Sequence, residues 1–111
     1  DMIRSLQRPD RPNVLSKIIT LYQQNSPALL RAIRDAVSSG DGAGLQEAAH
    51  SLKTASANLG AVELAAICKE LEGLGLCEKT ETAKELYAKL EESFQEALAA
   101  FRIELENIPD A

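Results

Sequence analysis

His50 is the only histidine in a chain of 111 residues, and it stands in the run His50-Ser51-Leu52-Lys53-Thr54-Ala55-Ser56-Ala57-Asn58-Leu59-Gly60. Counted at roughly 100° per residue, Leu45, Ala48, Leu52, Ala55 and Leu59 share one stripe of a helix, and His50 lies about 160° from its centre. The ring therefore projects from a polar face, with Gln46, Glu47, Lys53 and Thr54 one turn away and Ala43 and Ala57 one turn further out. An imidazole with a pKa of about 6.5 is largely uncharged near neutral pH. On a rigid helix, an exposed ring of this kind is available as a nucleophile or a titrating switch toward a group that another molecule brings. A metal site needs several ligands at matched spacing, and Cys68 and Cys77 are too far along the chain to suggest a pair with His50, so no metal site is expected. A hydrolase triad needs Ser or Cys, His and Asp held together in a cleft. A helix surface offers none, and the chain has no G-x-S-x-G elbow.

The pattern His-x-Leu-Lys-x-x-Ser-x-x-x-Gly, present as His50, Leu52, Lys53, Ser56 and Gly60, closely resembles the signature of histidine-containing phosphotransfer (HPt) domains, the His phosphocarriers of bacterial phosphorelays. The flanks Ala48-Ala49, Asn58-Leu59-Gly60-Ala61 and Leu71-Glu72 agree with it, and the resemblance runs from about Val14 to Phe101. Thr54 stands where the family often has glycine, which alters how closely a partner approaches but removes no reacting group. The resemblance implies that His50 accepts a phosphoryl group from the aspartyl phosphate of a response-regulator receiver domain and returns it to the aspartate of another. It also implies a four-helix bundle with its histidine in mid-helix, and no cofactor on this chain, magnesium and the acidic pocket belonging to the receiver. A chemotaxis-kinase phosphorylation domain is a close cousin that differs in the phosphoryl donor.

The residues fit that role. Phosphoryl transfer is mainly positioning and charge stabilisation, and Lys53, three residues after His50, is near enough on the helix surface to offset charge on phosphoryl oxygens. Gln46 and Glu47 are placed to hydrogen-bond the other ring nitrogen. With Thr54 and the small Ala43 and Ala57 they form the expected docking surface. Ser56 phases toward the core edge, where a hydroxyl can bond back to a backbone carbonyl, and Gly60 suits a left-handed C-terminal cap. A reading from a different class is a helical interaction module that docks receivers and is never phosphorylated. A general acid–base enzyme built on His50 lacks an evident second catalytic group.

The elements that carry these residues all read as helices. Val14, Leu15, Ile18, Ile19 and Tyr22 predict a first helix over 12–25. Ser26-Pro27 reads as a restart, Ser as N-cap and Pro in the first turn, of a second helix with Leu30, Ile33 and Val37 inward, ending at Ser38-Ser39-Gly40. Asp41 caps the helix of His50, which stops at Gly60, and a tight turn makes it an antiparallel hairpin with the next. That next helix buries Leu64, Ile67, Cys68, Leu71 and Leu74 and is expected to end at Gly73 and Gly75. Thr82 with Glu85 has the form of a capping box, although the helix can begin a turn earlier. It opens the longest helix, with Leu86, Leu90, Phe94, Ala97, Phe101 and Leu105 on one side. The expected fold is all-α, an antiparallel four-helix bundle with an additional N-terminal helix that packs across or extends it. An irregular lead-in over 1–12 and a frayed tail over 107–111 flank a bundle domain over 13–106.

Composition agrees with one modest core. The chain is 45% hydrophobic with two Tyr, two Phe and no Trp, so Leu and Ala fill the interior. A net charge of −5 argues against nucleic acid, which calls for a basic stripe. No apolar run approaches the ~20 residues that span a bilayer, and no signal-peptide pattern occurs, so direct membrane contact is not expected. Cys68 phases with the core and Cys77 falls in a loop. Free thiols suit a reducing compartment, so a cytoplasmic location is expected, including as the cytoplasmic domain of a membrane-bound sensor kinase. Polar faces favour a monomer. The first residue is Asp1 rather than Met, as in a domain excised from a sensor kinase or a protein lacking its first residues.

Overall fold

The computed structural model of the chain describes residues 12–107, and these form four helices with no strand among them. They are α1 (Pro12–Ser39), α2 (Gly42–Asn58), α3 (Val62–Leu76) and α4 (Thr80–Asn107). Each packs mainly on its neighbours in sequence, and α4 closes the ring on α1. The apolar stripes meet in one core, with Leu15, Ile19, Ile33, Leu45, Leu52, Leu64, Leu71, Leu90, Phe94 and Phe101 almost wholly removed from water. Tyr22 lies in the same core, edge-on to Phe101 with ring centroids 5.3 Å apart. The expected lead-in and tail fall largely outside the described residues.

The all-α bundle stands as expected, but the break at Ser26-Pro27 is absent, and the separate helix expected over 12–25 is the first half of α1. The buried series Leu15, Ile19, Tyr22, Ser26, Leu30, Ile33 and Val37 explains why. Its steps of three and four residues run unbroken through Pro27, so a single continuous helix buries all seven on one face. Each large apolar side chain contributes roughly 1.5–3 kcal/mol by its burial, which outweighs the ~3 kcal/mol of an interior proline. Ser26 does not cap. Its hydroxyl donates to the Tyr22 carbonyl one turn back, inside the helix. Val14, assigned to the stripe from its spacing, is exposed.

The helix ends are set by local hydrogen bonding. Asp41 caps α2 as expected, its carboxylate accepting the Gly44 backbone N–H at 2.9 Å. At the other end the Ala61 N–H donates to the Ser56 carbonyl and the Gly60 N–H to that of Ala57, both at 3.0 Å. That pair of bonds is a Schellman closure, with Gly60 at φ 80°. Gly40 ends α1 in the same left-handed conformation, and Glu78 takes that position after α3. Thus α3 passes through Gly73 and Gly75, which were expected to end it, and stops at Leu76. The capping box at Thr82 is superseded, because α4 already begins at Thr80.

Gly75 instead serves the packing of α2 on α3. A methyl group on it would lie 2.6 Å from the Gly42 carbonyl oxygen and 2.7 Å from the Gln46 nitrogen, and one on Gly42 would lie 2.7 Å from the Gly75 carbonyl oxygen. Both obstacles are backbone, so the two helices touch main chain to main chain. We expect Gly75→Ala to lower stability by about 1–3 kcal/mol through overpacking. Gly73→Ala, whose methyl meets nothing within 4 Å, should raise it by about 0.5–1 kcal/mol through helix propensity. Urea midpoints of the two variants moving in the same direction would refute the close approach as the reason for Gly75.

Candidate functional site

His50 lies midway along α2, on the face turned from the core, with 59% of its side chain exposed. Directly behind it on the helix, Ala48, Ala49 and Leu52 are buried, so the backbone that carries the ring is fixed by packing. Ala43, Gln46, Glu47, His50, Ser51 and Glu72 line one shallow open depression. Ala57 and Thr54 are exposed on the same helix beyond it. The Thr54 hydroxyl donates to the His50 carbonyl at 3.1 Å, so that side chain folds back on its own helix rather than toward the ring.

The ring's Nδ1 edge does not bond to Gln46 or Glu47, as spacing along α2 suggested. It faces Glu72 of α3, with Nδ1 and Oε2 2.8 Å apart. The second carboxylate oxygen, Oε1, accepts from the Lys53 ammonium at 2.6 Å. Lys53 is 28% exposed and Glu72 16%, so this pair sits at the half-buried seam between the two helices and the ring stands outside it. The Lys53 ammonium is the chief cause that holds the Glu72 carboxyl below its ordinary value; partial desolvation opposes it, and the hydrogen bond to His50 adds to it. Glu72 was missed as a site residue because a glutamate at the edge of a helical stripe looks like any solvated acid. The signal was present in Gly75, one turn along. A glycine that marks the α2–α3 contact opposite Gln46 fixes an antiparallel register in which residue 72 faces residue 50.

The other motif residues serve the scaffold. Ser56 is fully buried, but its hydroxyl bonds across the bundle to the Tyr22 hydroxyl at 2.8 Å rather than back to a carbonyl of α2. Burial pushes the Tyr22 phenol up to about 12, and likewise the Cys68 thiol to about 12, so both stay neutral. Cys77 is exposed just after α3. Among the described residues no group of three or more His, Cys, Asp and Glu is placed to hold a metal ion. Nor is any helix there long and apolar enough to cross a membrane.

Two outcomes follow from this geometry. A carboxyl held below its ordinary value adds stability above its unfolded-state value, near 4.5, and loses that contribution as pH falls below it. Wild type should therefore be more stable than Glu72→Gln near neutral pH, and urea melts should show the gap closing under acid; a gap independent of pH contradicts the ion pair. Ser56→Ala leaves the Tyr22 hydroxyl buried without a partner, at a cost of about 1–3 kcal/mol. Removing both hydroxyls, in Tyr22→Phe with Ser56→Ala, should cost less than the single serine change. Thermal melts of the two variants check the order.

The Hpt domain family model matches residues 17–111. No curated protein gives a significant sequence match. Among solved structures, the chain is similar to histidine-containing phosphotransfer protein B (HptB) from Pseudomonas aeruginosa PAO1, with a TM-score of 0.87 and 30% sequence identity over 97% of this chain and 93% of that one. The agreement of bundle, sequence pattern and structural likeness over nearly the whole chain shows that it belongs to the Hpt domain family, the phosphotransfer carriers of two-component signalling.

Proposed function

We propose that His50 is the phosphoacceptor, taking the phosphoryl group from the aspartyl phosphate of one receiver domain and delivering it to the aspartate of another. A ring nitrogen attacks phosphorus, the N–P bond forms, and the P–O bond to the donor aspartate breaks with its electron pair leaving on the carboxylate. Return to a second aspartate is the same exchange in reverse. The observation that carries this reading is an exposed imidazole on a helix fixed from behind by buried Ala48, Ala49 and Leu52, open to a docking protein.

Lys53 supplies positive charge at the same site, within reach of the phosphoryl oxygens by a change of rotamer from its contact with Glu72. Ala43, Ala57, Gln46, Glu47 and Thr54 form the rim that a receiver meets, the two alanines keeping it low. This chain needs no metal of its own for the exchange; magnesium enters with the receiver. The chain acts as a carrier, not as an ATP-consuming kinase, in a cytoplasmic relay.

Incubation with a labelled phospho-receiver should place acid-labile, alkali-stable label on the chain, and His50→Gln should take none while still binding the receiver. Lys53→Ala should be labelled more slowly, by on the order of 10-fold for one lost charge-assisted contact. Receiver binding without label on wild type would support a docking module in place of a carrier.

A further inference from the structure

The close approach of α3 to α2 at Gly75 has a counterpart on the other side of α3. That helix packs more closely on α2 than on α4, and at the level of Gly75 the α3–α4 seam opens into a depression of about 580 Å³. Gly73 and Leu74 of α3 and Leu86 of α4 supply its apolar floor, and Glu70, Lys79, Glu85 and Lys89 stand around it. A second depression, of about 390 Å³, lies further along the same seam, where Val62 and Glu63 of α3 face Glu96, Ala97 and Ala100 of α4. The two are in line along antiparallel helices, and α3, which borders both, is 15 residues or about 22 Å long.

Gly73 has no use within the bundle. Glycine weakens a helix, and Gly75 is explained by the backbone against it, but a methyl group on Gly73 meets nothing within 4 Å. Its bare backbone is exposed at the floor of the larger depression, where it lets a second main chain come close. The charges on the rim are uncommitted as well. Among the described residues no ion pair joins Glu63, Glu70, Lys79, Glu85, Lys89 and Glu96 to one another. They are also unevenly placed, with Lys79 at one end of the seam and Glu63 and Glu96 at the other.

We propose that the α3–α4 seam docks an amphipathic helix of a partner protein, its apolar side on Gly73, Leu74, Leu86 and Ala97, its cationic residues over Glu63 and Glu96, and its C-terminus toward Lys79. A helix of four turns matches the length of the seam, and apolar anchors one turn apart are the usual way such a helix enters a groove. The dipole of the incoming helix favours the same orientation, its positive N-terminal end over two carboxylates and its negative end at Lys79. A second copy of this chain is a poorer occupant, because it carries a net charge of −5 and would approach a rim of four carboxylates and two ammonium groups. Neither depression shares a residue with the one around His50, so the docked helix leaves the imidazole uncovered.

The probe is a synthetic amphipathic peptide of about 15 residues, with leucines one turn apart, lysines in its N-terminal half and a glutamate near its C-terminus. In amide NMR titrations of the full chain, Gly73, Leu74, Leu86 and Ala97 should shift, and Ala43, Gln46 and His50 should not. Gly73→Leu, which fills the depression, should weaken binding by on the order of 10-fold. Its urea midpoint should not fall, since the added side chain enters open space. Glu63→Lys combined with Glu96→Lys should weaken binding too, and a peptide with glutamates in place of the lysines should recover the loss. No shift at millimolar peptide overturns the proposal, as does binding indifferent to Gly73→Leu or to the charge reversal. Shifts of the same amides on raising the protein concentration alone, with a dimer in sedimentation, give the seam to a second copy and overturn the partner helix.

Discussion

The contact between the backbones of Gly42 and Gly75 sets the spacing and register of the two helices that carry the site. Helices that meet through ordinary side chains lie about 8–10 Å apart. Here each glycine faces the other's carbonyl oxygen at a distance that leaves no room for a methyl group, so α2 and α3 come as near as two main chains can. The contact also sets register. With Gly75 against Gln46, one turn in opposite directions along antiparallel helices brings Glu72 beside His50 and Lys53. If the helices stood about 1 Å further apart, contacts now at 2.6 and 2.8 Å would stretch past ~3.5 Å and cease to be hydrogen bonds. Two residues with no side chains thus determine what three charged and titrating ones can do.

On its opposite side α2 is held by a different device. The buried hydroxyl pair of Ser56 and Tyr22 ties α2 to α1, and Tyr22 is itself held between Phe94 and Phe101 of α4. An apolar core alone tolerates small rotations of a helix about its own axis. A hydrogen bond between two buried hydroxyls does not, because a slight turn breaks it and leaves both groups unsatisfied. The ring of His50 needs that constraint, since a rotation of α2 would swing it away from Glu72. The pairing also accounts for a polar serine among the buried residues of the helix.

What the sequence disclosed follows from the range of the interactions that encode it. Asp41 and Gly60 were legible because a cap is written in neighbouring residues, and the exposed face of His50 because a helical period is visible in a few turns of Leu and Ala. Ser26-Pro27 misled because a start signal is local, whereas its competitor, the stripe from Leu15 to Val37, spans the entire helix and outweighs it. Gly75 misled in a related way. Glycine near the end of a helical pattern reads as a stop, and its use as a place for another backbone is visible only with the partner helix present. Glu72 and the Tyr22–Ser56 pair stayed hidden for the same reason, because each depends on which residues of two helices lie opposite one another.

The hairpin of α2 and α3 has a consequence for how this chemistry can be deployed. His50 and Glu72 are 22 positions apart, with one short turn between them, and Lys53 and both glycines of the contact belong to the same two helices. Loop closure over so short a span has a small entropic penalty, and such local contacts form fast. The reacting groups therefore assemble as a self-contained cassette, with α1 and α4 acting as a brace behind it. Whatever sequence is joined before α1 or after α4 attaches to the brace. The geometry around the ring travels with the hairpin, so one relay unit can be set into different protein architectures without its chemistry being rebuilt.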